Sequence, residues 1–422
     1  MSLSVVRVGA SIFQLTTQSG RRKIPQASPP KSRSGADRYL SSNCLDMQTP
    51  HSLSLAYQEG LIYWFQLGGL SQLVNPGIKK LTEEIMEKKE YLKTPVQHID
   101  IKSFNAVDII DAMRGMSFSA RDLAQAADIY DRMLRDEDCT IILTIAGSTS
   151  AAGCMQVYAD LVKHNMVDVI VATGATIVDM DFFEALGFRH YQGSPHVDDR
   201  TLRKLYIDRI YDTYIDEEDL QVCDKTITEI ADALPPASYS SREFIREMGK
   251  FLARRAAKQD SLVQVAYAND VPIFCPAFSD SSAGFGLVLH QHRRPEKHVS
   301  IDAVKDFREL TMIKVKAQTS GLLIIGGGVP KNFAQDTVIC AEILGFDAPM
   351  HKYAVQITVA DVRDGACSSS TLKEATSWGK VDTAYEQMVF AEATTVLPLL
   401  ASYAYHKGSW TTRKKRQFAK IF

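Results

Sequence analysis

No run in this 422-residue chain approaches the ~20 consecutive apolar residues that cross a bilayer. The longest aromatic-rich run, residues 61–67, is far too short, so a soluble protein is expected. Charge of one sign is also lacking: the net value of −2 gives no field to draw nucleic acid. Cysteine is sparse and scattered. Cys44, Cys139, Cys154, Cys223, Cys275, Cys340 and Cys367 form no CxxC pair and are odd in number, which points to reduced thiols in a cytoplasmic protein. HExxH, zinc-spaced His/Cys groups, GxSxG, the P-loop and GxGxxG are all absent, and no metal is expected.

The first 36 residues lack acids altogether, while Arg7, Arg21, Arg22, Lys23, Lys31 and Arg33 are basic. Such a stretch reads as a disordered extension, as residues ahead of a true start at Met47, or as an Arg-rich mitochondrial leader. The division expected is an N-terminal extension over 1–74, a catalytic domain over 75–408 and a solvated basic tail over 409–422. The tail carries Arg413, Lys414, Lys415 and Arg416.

What is present begins near Asn75. Residues 79–93 pattern as a charged helix. Five apolar, β-branched runs follow at residues 138–145, 167–172, 271–274, 322–325 and 353–358, with amphipathic stretches between them. One such stretch takes Ser300 as its cap and Asp302 in its first turn, with Val304, Phe307, Leu310 and Ile313 at helical spacing. Strands alternating with helices predict an α/β fold: a doubly wound, mostly parallel, Rossmann-like sheet with helices on both faces. Sheets of that kind bind ligands at the carboxyl ends of their strands.

Three of those ends carry small residues: Gly147-Ser148, Thr173-Gly174 and Gly326-Gly327-Gly328. Small side chains let backbone N–H groups approach a phosphate, although any one such turn is as readily just a turn. Acids gather nearby at Asp179, Asp280, Asp361 and Asp364, suiting a cation if they converge. His290, His292 and His298 read as a polar surface loop. Ser377-Trp378-Gly379-Lys380 is the most unusual tetrapeptide, because the chain has only three tryptophans. A lysine beside an indole either packs its stem on the ring or holds an amine stripped of water for imine chemistry.

These blocks resemble the deoxyhypusine synthase family, which includes homospermidine synthases and bacterial homologues. The resemblance rests on residues 164–169 (HNMVDV), 274–277 (FCPA) with Asp280, 321–329 (GLLIIGGGV), 374–380 (EATSWGK) and 391–400 (AEATTVLPLL), in family order across roughly 95 to 405. It implies an NAD-dependent enzyme that moves an aminobutyl group from a polyamine, through an imine on Lys380, to an acceptor amine. It also implies a homo-oligomer, usually a tetramer, with sites at a dimer interface. By position, Trp378 is the aromatic wall of the amine site, Glu374 binds the amine, and Asp179 stands where the family has a Glu against the polyamine. On the cofactor side the resemblance assigns Gly147, Ser148, Thr173, Gly174, Asp280, Asp364, Glu392 and Ala393, with Glu392 in place of the family's Asp.

The departures fall on the amine side. Asn332 replaces a histidine that helps bind spermidine, and asparagine cannot titrate. Ala366-Cys367 follows Asp364-Gly365 where the family carries an acid, and Phe285 replaces an Asp. Loss of carboxylates favours a small di- or polyamine acceptor. The alternatives are deoxyhypusine synthase proper, acting on a lysine of translation initiation factor 5A, and a catalytically silent NAD-binding or assembly subunit.

Overall fold

Six strands, most of them rich in Ile, Val and Leu, assemble into one parallel sheet. They are β1 (Thr140–Ile145), β2 (Val169–Ala172), β3 (Ile273–Phe274), β4 (Ser320–Ile325), β5 (Tyr353–Thr358) and β6 (Glu386–Phe390). A computed structural model describes residues 86–363 and 370–422. The strand order is β3-β2-β1-β4-β5-β6, and every neighbouring pair is parallel. The order reverses between β1 and β4, whose residues pair from Thr140↔Ser320 to Ile145↔Ile325. That reversal is the topological switch point of a doubly wound sheet.

Side chains alternate across the sheet, so each strand feeds two cores. Leu143, Ile145, Leu323, Ile325, Val355 and Ile357 pack with the helices Phe118–Arg135, Met155–Lys163 and Ala393–Lys407. Ile142, Val169, Val171, Leu322 and Ile324 pack the other way, against Leu310 and Ile313 of Ala303–Ala317 and Ala334 of Gly328–Gln335. With both faces covered, β1, β2, β4 and β5 are buried along their whole length, which explains why their sequences are mostly apolar rather than alternating.

Several expectations need correcting. The Ala303–Ala317 helix is capped by Asp302, whose side chain accepts from Lys305 N at 2.9 Å. Ser300 belongs to a two-residue strand, and Val304 is exposed. Edge strand β6 and a small antiparallel sheet inserted between β2 and β3 (residues 191–192, 207–210 and 213–216) were not foreseen. Of the helix expected over 79–93, residues 86–91 are helical and those up to 85 lie outside the described residues. His290 is not on a surface loop: it is buried, its Nδ1 2.6 Å from Asp232, and its Nε2 accepts from Val299 N at 2.9 Å.

The basic cluster is not wholly solvated either. Lys414 is exposed, but Arg413 is buried in an ion pair with Asp168 at 2.7 Å and also donates to the carbonyls of Asn165 and Cys139. Phe418 completes the second core. Among the described residues no helix is long and apolar enough to cross a membrane, and no group of three or more His, Cys, Asp or Glu could hold a metal ion.

Candidate active site

The carboxyl end of the sheet is where the small-residue turns sit. Gly147 follows β1 at φ +86°, and a Cβ built there would meet nothing within 4 Å, so the turn leaves open space beside the switch point. Ser148 next to it is half-buried. After β2, Thr173 Oγ1 lies 2.9 Å from Thr176 Oγ1, and Thr176 reaches the carbonyl of Gly147 at 3.4 Å, tying the two turns together. A Cβ on Gly174 would come within 2.7 Å of Ser281 Oγ, so only glycine lets this turn meet the loop after β3 that carries the exposed Asp280.

Both turns then enter helical segments: Ser150–Cys154 kinks at Gly153, at φ +104°, and Ala175–Phe182 is a wide π-type turn, a geometry often found at functional sites. Asp179 in the second segment accepts from Ser282 N at 2.7 Å. Burial pushes its carboxyl up to about 6, against hydrogen bonds from Ser282, with Asp224 and Asp280 adding to the rise. After β6, Glu392 caps the Ala393–Lys407 helix through Oε2, which accepts from Thr395 N at 3.1 Å. Burial would raise this carboxyl, but bonds from Thr394 and Thr395 outweigh it and hold it below its usual range. Gly147, Ser148, Thr173, Gly174, Asp280, Glu392 and Ala393 therefore share one edge of the sheet. Asp364 lies outside the described residues. An open glycine cradle at the switch point, with a carboxylate at each flank, fits a dinucleotide.

Apart from Asp179, which stays with the strand-end turns beside Ser282, the amine-side residues lie on the second core's face. Gly328–Gln335 runs back from the β4 turn and carries Lys331 and Asn332; the short helix Leu372–Ser377 leads into Trp378 and Lys380. Lys380 Nζ is 2.6 Å from Asp336 Oδ1 and 5.3 Å from the centre of the Trp378 ring, and its side chain is 13% exposed. Its backbone carbonyl accepts from His351 N at 2.9 Å, at the amino end of β5. The backbone of Lys380 is therefore separated from Glu392 by the length of β6, roughly 17 Å for five residues.

Trp378 is 64% exposed, and Glu374 is exposed with Oε2 accepting from Thr371 N at 2.6 Å in a capping box. Among the described residues of the single chain, none encloses this side as a tunnel. A crevice lined by Ile245, Tyr267 and Pro272 lies at the amino end of β3, away from these residues.

Two groups here were not singled out from sequence. Asp336 is an isolated acid with no motif around it. Lys331 follows the glycine triplet, but its burial is a tertiary fact. Its Nζ donates to Gln356 Oε1 at 2.9 Å and to the Ser370 carbonyl, while Gln356 Nε2 donates to Gly326 O at 2.9 Å. Burial pushes Lys331 down to about 8; Glu374 opposes this and Lys380 adds to it.

The parallel sheet, its switch point and the small-residue turns at its carboxyl end define a doubly wound α/β protein. The family model described as deoxyhypusine synthase matches residues 108–404. A deoxyhypusine synthase-like protein of Coxiella burnetii is 71% identical over 79% of this chain and 96% of its own length. One from Caulobacter vibrioides is 65% identical over 80% of this chain and 93% of its own. A Methanosarcina mazei relative named as a probable deoxyhypusine synthase is 39% identical over 80% of this chain and 96% of its own. A crystal structure assigned to a deoxyhypusine synthase from Entamoeba histolytica superposes with a TM-score of 0.51 at 20% identity, over 76% of this chain and 99% of that one, which bears on the fold. The chain belongs to the deoxyhypusine synthase family, a family of transferases.

Proposed function

We propose that this protein is an NAD-dependent aminobutyl transferase acting on a polyamine donor and a small amine acceptor. The observation that carries the reading is the placement of Lys380. Its amine is largely withdrawn from water, held by one carboxylate at 2.6 Å and faced by an indole at 5.3 Å. An amine fixed in this way condenses with a carbon brought to one position.

NAD, when bound, supplies the hydride acceptor for oxidising the donor amine and returns the hydride to the product. Gly147, Ser148, Thr173 and Gly174 would hold its phosphates, and Asp280, Asp364, Glu392 and Ala393 its riboses. Glu392 Oε1 has no partner among the described residues, which leaves it for a ribose hydroxyl. Lys380 takes the aminobutyl group. Trp378 packs the methylenes and attracts the ammonium groups. Asp179 and Glu374 bind the charged ends of the amine.

The exposure of Trp378 and the strand's length between Lys380 and Glu392 suit a site completed by a second copy of the chain, in a homo-oligomer. A small acceptor is favoured by Asn332 and Phe285, which carry no charge where the family has a histidine and an acid; Phe285 is 70% exposed. The test is mass spectrometry of products formed with NAD, spermidine and either putrescine or initiation factor 5A. The reading predicts an aminobutylated small amine. Modification of the factor alone would instead establish deoxyhypusine synthase proper.

A further inference from the structure

Asp336 stands at a junction. It ends the helix Gly328–Gln335, and the next helix, Thr337–Ile343, starts at the following residue. Aspartate is among the best N-cap residues, because its carboxylate can accept the free N–H groups of the first turn. Asp336 does not act as one: its backbone is helical, at φ −71° and ψ −8°, and no side-chain cap bond forms. The carboxylate turns instead to Lys380 Nζ at 2.6 Å.

We propose that Asp336 is the counter-ion of the cation on Lys380 Nζ, pairing with the ammonium in the resting protein and with the protonated imine after condensation. This rests on the imine reading of Lys380 and names the group that stabilises the intermediate. Condensation of an ammonium with an aldehyde forms one C=N bond and releases water; two hydrogens leave Nζ with the oxygen, and one remains with the positive charge. Exchange with a donor iminium differs only in that the two hydrogens leave on the departing amine. Nζ is a cation before and after, so one fixed carboxylate serves both states without rearranging.

Among the described residues, the other charges near Lys380 are placed for other contacts. Lys331 on the same helix is a second cation, tied to Gln356 and the Ser370 carbonyl. Glu374 is committed through Oε2 to its capping box and faces Lys331. Asp382, two residues on, accepts from Ala384 N at 2.8 Å. The Trp378 ring gives a face but no charge.

An iminium beside a carboxylate keeps its proton to higher pH, because the opposite charge favours the charged form, by about one to three pH units for a close pair. The experiment forms an imine with 4-(dimethylamino)benzaldehyde, whose protonated imine absorbs at longer wavelength than the neutral one, without added cofactor. Lys380→Arg supplies the background from surface lysines, and the difference spectrum is titrated with pH. Asp336→Asn should lower the midpoint by about one to three units. Asp336→Glu should restore most of it, and thermal unfolding should show both variants folded. An unchanged midpoint in Asp336→Asn overturns the counter-ion role and leaves the imine reading standing. If wild type and Lys380→Arg give the same spectrum, the imine reading fails and the counter-ion falls with it.

Discussion

Lys380 Nζ lies over the Trp378 ring and pairs with Asp336. Replacing Trp378 with alanine removes the ring face while sparing the ion pair, so amine affinity should fall by about 1–2 kcal/mol, or five- to thirtyfold, with NAD affinity unchanged. Calorimetric titration of each ligand checks this. A second lysine, Lys314, is fully buried, with its Nζ on the Gln318 carbonyl at 2.7 Å. Burial pushes it down to about 8, slightly opposed by Cys139. Between about pH 8 and its ordinary 10.5, the unfolded chain holds this proton and the folded one does not. Folding stability therefore gains from this group as pH rises through that window. Lys314→Met should flatten that slope, as urea unfolding at pH 8, 9 and 10 would show.

At the scale of elements, the strand-end turns separate ligand binding from stability. Gly147→Ala adds a methyl where nothing lies within 4 Å; the cost is the positive φ, about 1–2 kcal/mol, together with a filled cradle. NAD affinity should drop about tenfold or more, with a modest fall in melting temperature. Gly174→Ala drives its methyl into Ser281 at 2.7 Å, so stability should suffer first. Dinucleotide fluorescence titration and thermal melts together distinguish the two.

These turns were legible in sequence because they follow apolar runs buried on both sides. β6 was not: Glu386-Gln387-Met388-Val389-Phe390 is an edge strand with one fully buried residue, so it never needed an unbroken apolar run. The cap of Ala303–Ala317 shifted from Ser300 to Asp302 for a comparable reason. Both are good caps, and the two-residue strand with Ser238–Tyr239 claimed the serine.

For the molecule as a whole, the alternation of strands and helices announces a doubly wound parallel sheet with small-residue turns at its strand ends, whereas the order β3-β2-β1-β4-β5-β6 comes from the fold. The distribution of the site was not legible. The Glu-Ala-Thr-Ser-Trp-Gly-Lys block announces Lys380, but only the fold sets its backbone at the amino end of β5 and pairs it with Asp336, 44 positions earlier in the chain. The C-terminal residues also change character at this scale. Arg413 looks like one of four surface cations, yet it closes a buried pair with Asp168, which also accepts from Ile141 N at 2.8 Å. Arg413→Ala leaves that carboxylate short of a partner and should cost about 3–5 kcal/mol in chemical denaturation. Lys414→Ala should cost almost nothing.

The proposed chemistry depends most on Lys380 carrying the transferred group. Incubating the protein with NAD and spermidine labelled in its aminobutyl part, reducing with borohydride and mapping the label by peptide mass spectrometry tests this directly. The label should sit on the peptide containing Lys380 and disappear in Lys380→Ala, which still binds NAD. No stable label, or label on another residue with Lys380 unmodified, would contradict it.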